Sequence, residues 1–255
     1  MNMKWEYDLL ELADAIGIDN LIPIAHTRIR LSFAVLLAGD GSVISAKKTN
    51  CKVTIPCTID SECRTNGVSP HLTHDNLSYI GALKGFEDRH EAYLSQLQKY
   101  VDETHDSEAA AIWNCAERGT IIDDLKELIP DFDESNCKSC NIGFHVYGRS
   151  TDTINRRWID YYLSSLPING MCSITGEMDH IPSKYPARIR NGRDFAKLWS
   201  LGESDVCNFM PKFLPGYKAS QRILHTLQFM CYEGKEMALS LGYGDLNKKS
   251  KKEAE

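Results

Sequence analysis

Hydrophobic and polar residues alternate between Arg28 and Leu37, and this run is followed closely by Asp40 and Gly41. Alternation places successive side chains on opposite faces of an extended strand. Asp-Gly between two such runs is a strong hairpin signal, and a second extended run spans residues 43–46. The sequence therefore predicts a β-hairpin with its turn at Asp40 and Gly41.

Helical periodicity dominates the rest of the chain. An amphipathic helix is predicted from Trp5 to Ile16, with Gly17 as its stop. Ser107 and Thr120 are predicted helix N-caps, and Asp123 would complete a capping box with Thr120. Further helices are predicted over residues 87–103, 107–118, 120–128 and 151–163 and from residue 217, with a short strand over 142–147. The predicted fold class is α+β: an antiparallel hairpin-containing sheet packed with several helices, and a helical C-terminal part.

A chain of 255 residues can bury one substantial core. We expect a single α+β domain over residues 1–247, with a sub-boundary near 135–150, and a charged disordered tail over 248–255. No apolar run reaches the roughly 18 residues of a membrane helix, so we expect a cytoplasmic protein without membrane contact. The nine cysteines are an odd number, which favours reduced thiols over a disulfide framework.

The net charge of −6 is unevenly distributed. Residues 99–136 contain eleven acidic and three basic residues, so the rest of the chain sums to +2. Binding to phosphate depends on the local field rather than on the total charge. The acidic balance is therefore only weak support for excluding nucleic acid as a partner.

Residues 49–85 are rich in Gly, Pro, Thr, Asn and Asp and predict a long irregular loop. Loops of this length inside a compact domain are usually functional. The most informative stretch reads RTNGVSPHLTHDNLSY over residues 64–79. Gly67 permits close backbone approach, Pro70 stiffens the segment, and the residues at 64–66 offer donors for phosphates or base edges.

This stretch resembles the arginine-threonine-x-glycine, proline, aspartate-asparagine, tyrosine signature of the large subunit of the type I-C Cascade, the Csd-one or Cas-eight-c family. The order and spacing of the flanking segments agree with that family over roughly residues 5–230. These segments include the hairpin, WIDYYL at 158–163, CSITGE at 172–177 and IRNG at 189–192.

The resemblance implies a non-catalytic subunit that caps an RNA-guided antiviral complex. It would contact the 5′ handle of the guide RNA and inspect the motif flanking the target in duplex DNA, while base pairing reads the target sequence. The implied partners are the other Cascade protein subunits, guide RNA, double-stranded target DNA and a recruited helicase-nuclease. No cofactor is predicted.

Two segments, residues 64–76 and residues 184–193, supply the candidate nucleic-acid-binding residues. In the second segment, Arg188 and Arg190 would share one face of an extended strand and form a basic strip. The predicted residues are Arg64, Thr65, Asn66, Gly67, His71, Asn76, Lys184, Arg188, Arg190 and Arg193.

Each segment has a structural alternative. Arg64 could pair with Asp75 while the loop packs on the hairpin, with Asn76 and Tyr79 closing it. The basic strip could be a solvated sheet edge whose charges discourage strand pairing.

Metal chemistry remains open at two places. Cys137 and Cys140 have zinc-ligand spacing, which His145 and Cys172 could complete; the other interpretation is a turn with reduced thiols. His71, His74 and Asp75 could serve a metal-dependent nuclease.

A further alternative follows from chain length, because members of the resembled family are usually longer. The chain would then be a fragment, a split subunit or a degenerate relative. As such it could act as an interaction module that docks on Cascade subunits without reading DNA.

Overall fold

The structure, a computed structural model, describes residues 4–65, 67–150, 152–190, 194, 196–199 and 213–240. It divides into two compact units: residues 25–166 form one, and the described parts of residues 1–24 and 167–255 form the other. The expectation of a single domain over 1–247 stays a prediction. The tail at 248–255 lies outside the described residues.

The predicted α+β class is confirmed, and the bounds of the predicted helices agree with the periodicity to within a few residues. The short helices α2 and α3 were not predicted, because they lie in the segment over residues 49–85 that was expected to be irregular. The helices are α1 (Lys4–Ile16), α2 (Ile59–Glu62), α3 (Leu77–Ile80), α4 (Glu87–Thr104), α5 (Ser107–Glu117), α6 (Ile121–Leu128), α7 (Asp152–Ser165) and α8 (Tyr217–Ser240). The strands are β1 (His26–Arg30), β2 (Phe33–Leu37), β3 (Val43–Lys48), β4 (Lys52–Pro56), β5 (Asp75–Asn76), β6 (Asn141–Val146), β7 (Gly170–Met171) and β8 (Met178–Asp179).

The larger unit contains a mixed sheet with strand order β3-β2-β6-β5. Strands β2 and β3 form the predicted antiparallel hairpin, whereas β2 and β6 run parallel. The hairpin turn lies at Asp40 and Gly41, and Gly41 has φ +87°. A Cβ atom at position 41 would stand 2.4 Å from the carbonyl oxygen of Ala111, so α5 approaches this turn closely.

The alternating run from Arg28 to Leu37 forms two strands instead of one. Its first part pairs with β4 in a separate two-stranded ribbon, and its second part pairs with β3. Arg30 is opposite Lys52 and Phe33 is opposite Lys48. Residues 31 and 32 therefore face three residues, 49 to 51. The extra residue acts as a bulge, which bends the hairpin and redirects its side chains.

Buried aromatic and aliphatic side chains hold the bent hairpin in place. Leu31, at the bend, is almost completely buried, and a Cβ atom on Gly143 of β6 would lie 2.3 Å from its Cδ1 atom. Trp158 of α7 donates its indole N–H to the carbonyl oxygens of Ala25 and Cys57, each at 3.1 Å. These contacts fix both ends of the β1–β4 ribbon.

The helix caps differ in part from the prediction. Asp106, rather than Ser107, caps α5 by accepting from the backbone N–H groups of Glu108 at 3.0 Å and Ala109 at 3.1 Å. Thr120 does precede α6, but its side chain makes no capping hydrogen bond. Its hydroxyl instead donates to the Asp124 carboxylate at 3.1 Å.

The smaller unit is organised by α1 and α8, which pack against each other. Its core contains Cys172, Ile174, Ala219 and Ile223. Strands β7 and β8 pair antiparallel around the turn at residues 172–177. Within the described residues, no helix combines the length and apolar character needed to cross a membrane.

Candidate nucleic-acid interface

The loop between α2 and α3, residues 63–76, is organised around the carboxylate of Asp75, which is completely buried. It accepts hydrogen bonds from Arg64 Nη1 at 2.8 Å and Nη2 at 2.9 Å, a bidentate pair. It also accepts from the backbone N–H groups of His71 at 2.9 Å and Asn76 at 2.7 Å. One carboxylate therefore ties together three separate points of the loop.

Arg64 is turned inward by these contacts. Its side chain is only 18% exposed, and Nη1 also donates to the carbonyl oxygen of Ser69 at 2.9 Å. Its guanidinium lies 4.5 Å from the centre of the Tyr79 ring. Burial lowers the pKa of Arg64, but the hydrogen bonds and charge of Asp75 raise it more. The structure thus favours the pairing alternative for Arg64, and its contact with nucleic acid stays a prediction.

The tip of the loop is exposed, in contrast to its base. Thr65, Gly67 and Val68 face solvent, and a Cβ atom at Gly67 would meet nothing within 4 Å. The Tyr79 hydroxyl donates to the carbonyl oxygen of Gly67 and accepts from the backbone N–H of Ser69, both at 3.3 Å. This ring therefore braces the exposed tip from below. Asn66 lies outside the described residues.

In the same loop, His71 is buried and Asn76 is half-buried. The Nδ1 atom of His71 lies 3.0 Å from the hydroxyl oxygen of Ser61. Asn76 caps α3 by accepting from the backbone N–H of Ser78 at 3.1 Å. Both side chains hold the loop together, and their predicted contact with nucleic acid stays a prediction.

Neither of the two alternative metal sites assembles among the residues that the structure describes, where no three His, Cys, Asp or Glu side chains are grouped to hold an ion. His74 is buried, and no atom of the described residues forms a hydrogen bond with its Nδ1 atom. Burial, and to a lesser extent the charges of His145 and His71, lowers its pKa to about 4. The Cys137 thiol donates to the carbonyl oxygen of Glu134 at 3.0 Å.

The second predicted segment belongs to the smaller unit and is not a strand. Arg188 has a positive φ of 69°, which turns the chain at this point. Arg190 donates Nε and Nη2 to the two carboxylate oxygens of Asp194, each at 3.0 Å. The prediction that Arg188 and Arg190 share a strand face was therefore wrong, because this carboxylate folds the segment back on itself. Lys184 is half-buried, and Arg193 lies outside the described residues.

The structure also assembles a set of cations that the sequence analysis did not single out. Arg30 of β1 and Lys48 of β3 line a groove at the bend of the hairpin, together with Thr49, Asn50, Ser139 and Asn141. A signal was present in the sequence, because residues 26–58 contain five Lys or Arg and one acidic residue. The convergence of these side chains depends on the bulge, which alternation alone does not show.

A comparison with family models found a match over residues 7–209 to the family described as CRISPR-associated protein (Cas_Csd1). No curated protein matches the chain. The matched region spans most of the chain and includes the braced loop, the bent hairpin and the segment around Arg190. The chain therefore belongs to the Cas_Csd1 family of CRISPR-associated proteins.

Proposed function

We propose that this chain is the non-catalytic large subunit, or its N-terminal part, of a type I-C CRISPR surveillance complex. In that complex it contacts the guide RNA handle and the motif that flanks the target in duplex DNA. Membership of the Cas_Csd1 family supports a Cascade-type role with other Cascade subunits as partners. The nucleic-acid contacts are the finer part of the proposal.

One observation carries the proposal: an exposed loop tip stands on a base that the hydrogen bonds of Asp75 hold together. The Asp75 carboxylate and the Tyr79 ring fix the loop on both sides of Gly67. Fixing the loop in advance reduces the conformational entropy that binding would otherwise cost. The open space above Gly67 lets a nucleic-acid backbone or base edge come close to the main chain. Arg64 then acts by positioning the loop through Asp75.

The test uses the complex assembled from this chain, the neighbouring Cascade subunits and guide RNA. Thr65→Glu adds a negative charge at the exposed tip without touching the Asp75 bonds. We expect it to weaken binding to duplexes that carry the flanking motif by about tenfold, through repulsion of phosphates. Ser95→Glu, at an exposed position on α4, is the matched control and should leave binding unchanged.

Motif-dependent binding that is equal in wild type and Thr65→Glu would contradict this role of the loop. That result would favour a second function, an interaction module that docks on Cascade subunits without reading DNA. The inward pairing of Arg64 with Asp75 favours this alternative, because it neutralises the most prominent cation of the loop. Co-purification with the neighbouring subunits, without any change in DNA binding, would establish it.

The proposal assigns DNA cleavage to a recruited helicase-nuclease and none to this chain. Purified protein incubated with labelled duplex and Mg²⁺ or Mn²⁺ should yield no product. Metal-dependent cleavage that disappears in His74→Ala would instead establish a nuclease site at His71, His74 and Asp75. We also propose a cytoplasmic location, where the guide RNA and the invading DNA meet.

A further inference from the structure

The bend of the hairpin opens a groove of about 490 Å³ in the larger unit. It lies where the chain passes from β1 to β2 on one side and from β3 to β4 on the other. Arg30 and Lys48 stand on these two sides, and both are exposed. The rest of the polar lining consists of Ser32, Thr49, Asn50, Ser139 and Asn141. The groove therefore combines two cations with hydroxyl and amide groups.

Arg30 is oriented by a neutral partner. Its Nη1 atom donates to the backbone oxygen of Asn50 at 3.2 Å and to the side-chain oxygen of Asn50 at 3.0 Å. The carbonyl oxygen of Arg30 accepts from the side-chain amide of Asn141 at 2.9 Å. These bonds fix the arginine at both its backbone and its head group, and they leave its positive charge uncompensated.

Lys48 is held in a similar way. Its ammonium group donates to the backbone carbonyl oxygen of Asp131 at 3.3 Å, across the loop that follows α6. Across the part of the chain that the structure describes, neither Arg30 nor Lys48 forms an ion pair with a carboxylate. The groove thus presents two oriented cations whose charges are available to an anion.

We propose that this groove binds phosphate oxygens of a nucleic-acid backbone. A guanidinium presents paired N–H donors that match phosphate geometry, and an ammonium group adds a compact charge beside it. Hydroxyl and amide groups such as those of Thr49 and Ser139 are common phosphate and sugar contacts. The proposal deepens the proposed function and rests on it for the identity of the ligand.

The groove is continuous with the braced loop through the mixed sheet. Asn141 lines the groove and is the direct pairing partner of Asn76, the residue that follows Asp75. The turn at residues 137–140 connects them further, because the carbonyl oxygen of Lys138 accepts from the backbone N–H of Ser78 at 3.0 Å. The groove therefore borders the base of the loop whose exposed tip is the proposed recognition site.

The experiment measures binding of the full chain to a short labelled single-stranded RNA and to a labelled DNA duplex over a range of salt concentrations. The double variant Arg30→Glu/Lys48→Glu should weaken binding at low salt by at least about tenfold. The slope of log K against log salt should also fall, by about 0.7 per lost contact for RNA or 0.9 for duplex DNA. Whichever probe loses more affinity identifies the source of the phosphates.

Lys99→Glu/Lys84→Glu is the matched control, because it makes the same charge change at exposed positions that do not line the groove. Thermal unfolding will show whether charge reversal impairs folding. If it does, the neutral variant Arg30→Gln/Lys48→Gln tests the same loss of positive charge. An equal loss in the control pair, or no binding of either probe by wild type, would overturn the proposal.

The experiments distinguish an incorrect groove proposal from an incorrect proposed function. If the groove variants match the control while the assembled complex still depends on Thr65, only the groove assignment falls. If the groove variants lose RNA or DNA binding while Thr65→Glu has no effect in the complex, the groove stands and the loop assignment falls.

Discussion

Two arginines of the larger unit are held by side-chain oxygens in opposite electrostatic settings. Arg64 forms a bidentate pair with Asp75 at the base of the loop, in a site where the carboxylate has no exposure. Arg30 is held by Asn50 at the open bend of the hairpin. Each side chain is oriented, but only Arg64 is neutralised.

The two arginines show that the orientation of a basic side chain and the availability of its charge are separate properties, which a count of basic residues does not distinguish. A carboxylate partner orients an arginine and also cancels its field, so the pair serves structure. An amide partner orients the arginine and leaves its field intact, so the cation remains available for a phosphate. We therefore expect Arg64 to control stability and Arg30 to control nucleic-acid binding.

The largest effect is expected from Asp75→Ala. The substitution leaves the largely buried Arg64 without its counter-ion and removes the acceptor for two backbone N–H groups. Breaking a buried ion pair in this way typically costs about 3–5 kcal/mol. Urea unfolding should show this loss, whereas Asn50→Ala, at an exposed position, should cost less than about 1 kcal/mol. Equal losses for the two variants would refute the distinction between the two sites.

A pH dependence of stability should come from the same loop. His74 is buried, and its pKa of about 4 lies below its ordinary value of 6.5. As the pH falls from about 6.5 to about 4, His74 becomes protonated in the unfolded chain but stays neutral in the folded chain. The free energy of unfolding therefore falls by about 2–4 kcal/mol.

His74→Leu should remove most of this pH dependence, because leucine has no group to protonate. His105→Gln removes an exposed histidine and should keep the dependence. Denaturant unfolding at several pH values compares the three proteins. An unchanged pH profile in His74→Leu would assign the effect to other groups.

Asn50→Asp tests the comparison most directly, because it gives Arg30 the kind of partner that Arg64 already has. The oxygen that accepts from Nη1 is retained, but it now carries charge. We expect RNA or DNA affinity to fall by about threefold to tenfold at low salt. Stability should change by less than about 1 kcal/mol, since the new pair is exposed. Asn50→Ala removes the side-chain acceptor without adding charge, so affinity lower in Asn50→Asp than in Asn50→Ala would isolate the effect of charge.

The smallest effect is expected from Arg190→Ala. Arg190 is paired with Asp194, and hydrogen bonds from Arg190 and from backbone N–H groups hold the pKa of that carboxyl well below its usual range. Its charge is compensated, so the loss of RNA or DNA affinity should stay below about twofold. A loss as large as that of Arg30→Gln/Lys48→Gln, measured by the same binding titration, would show that a carboxylate partner does not remove a cation from nucleic-acid binding.

The helices of two or more turns were predictable because their signal is local, whereas the four-residue helices α2 and α3 are too short to show a period. The apolar residues of α4, Tyr93, Leu97 and Tyr100, recur at helical spacing and are completely buried. The hairpin turn at Asp40 and Gly41 was likewise predictable, because the positive φ at Gly41 needs a residue type that the sequence shows.

The candidate site was less predictable because its contacts join distant parts of the sequence. Alternation from Arg28 to Leu37 indicated one strand, since the additional residue that divides it lies on the returning strand, at 49–51. The pairing of Arg64 with Asp75 could be proposed from the sequence, but the sequence did not favour it over contact of Arg64 with nucleic acid. The role of Asn50 gave no signal, because an exposed asparagine in a loop has many ordinary explanations.

The bulge makes the groove sensitive to insertions and deletions of a single residue. Loss of one residue between Thr49 and Cys51 would equalise the two sides of the bend and let β1 continue directly into β2. Moving a strand by one position sends its side chains to the opposite face, so Arg30 and Lys48 would no longer border the same cleft. A change of one codon, with every basic residue retained, could therefore create or abolish this anion-binding surface during the divergence of such proteins.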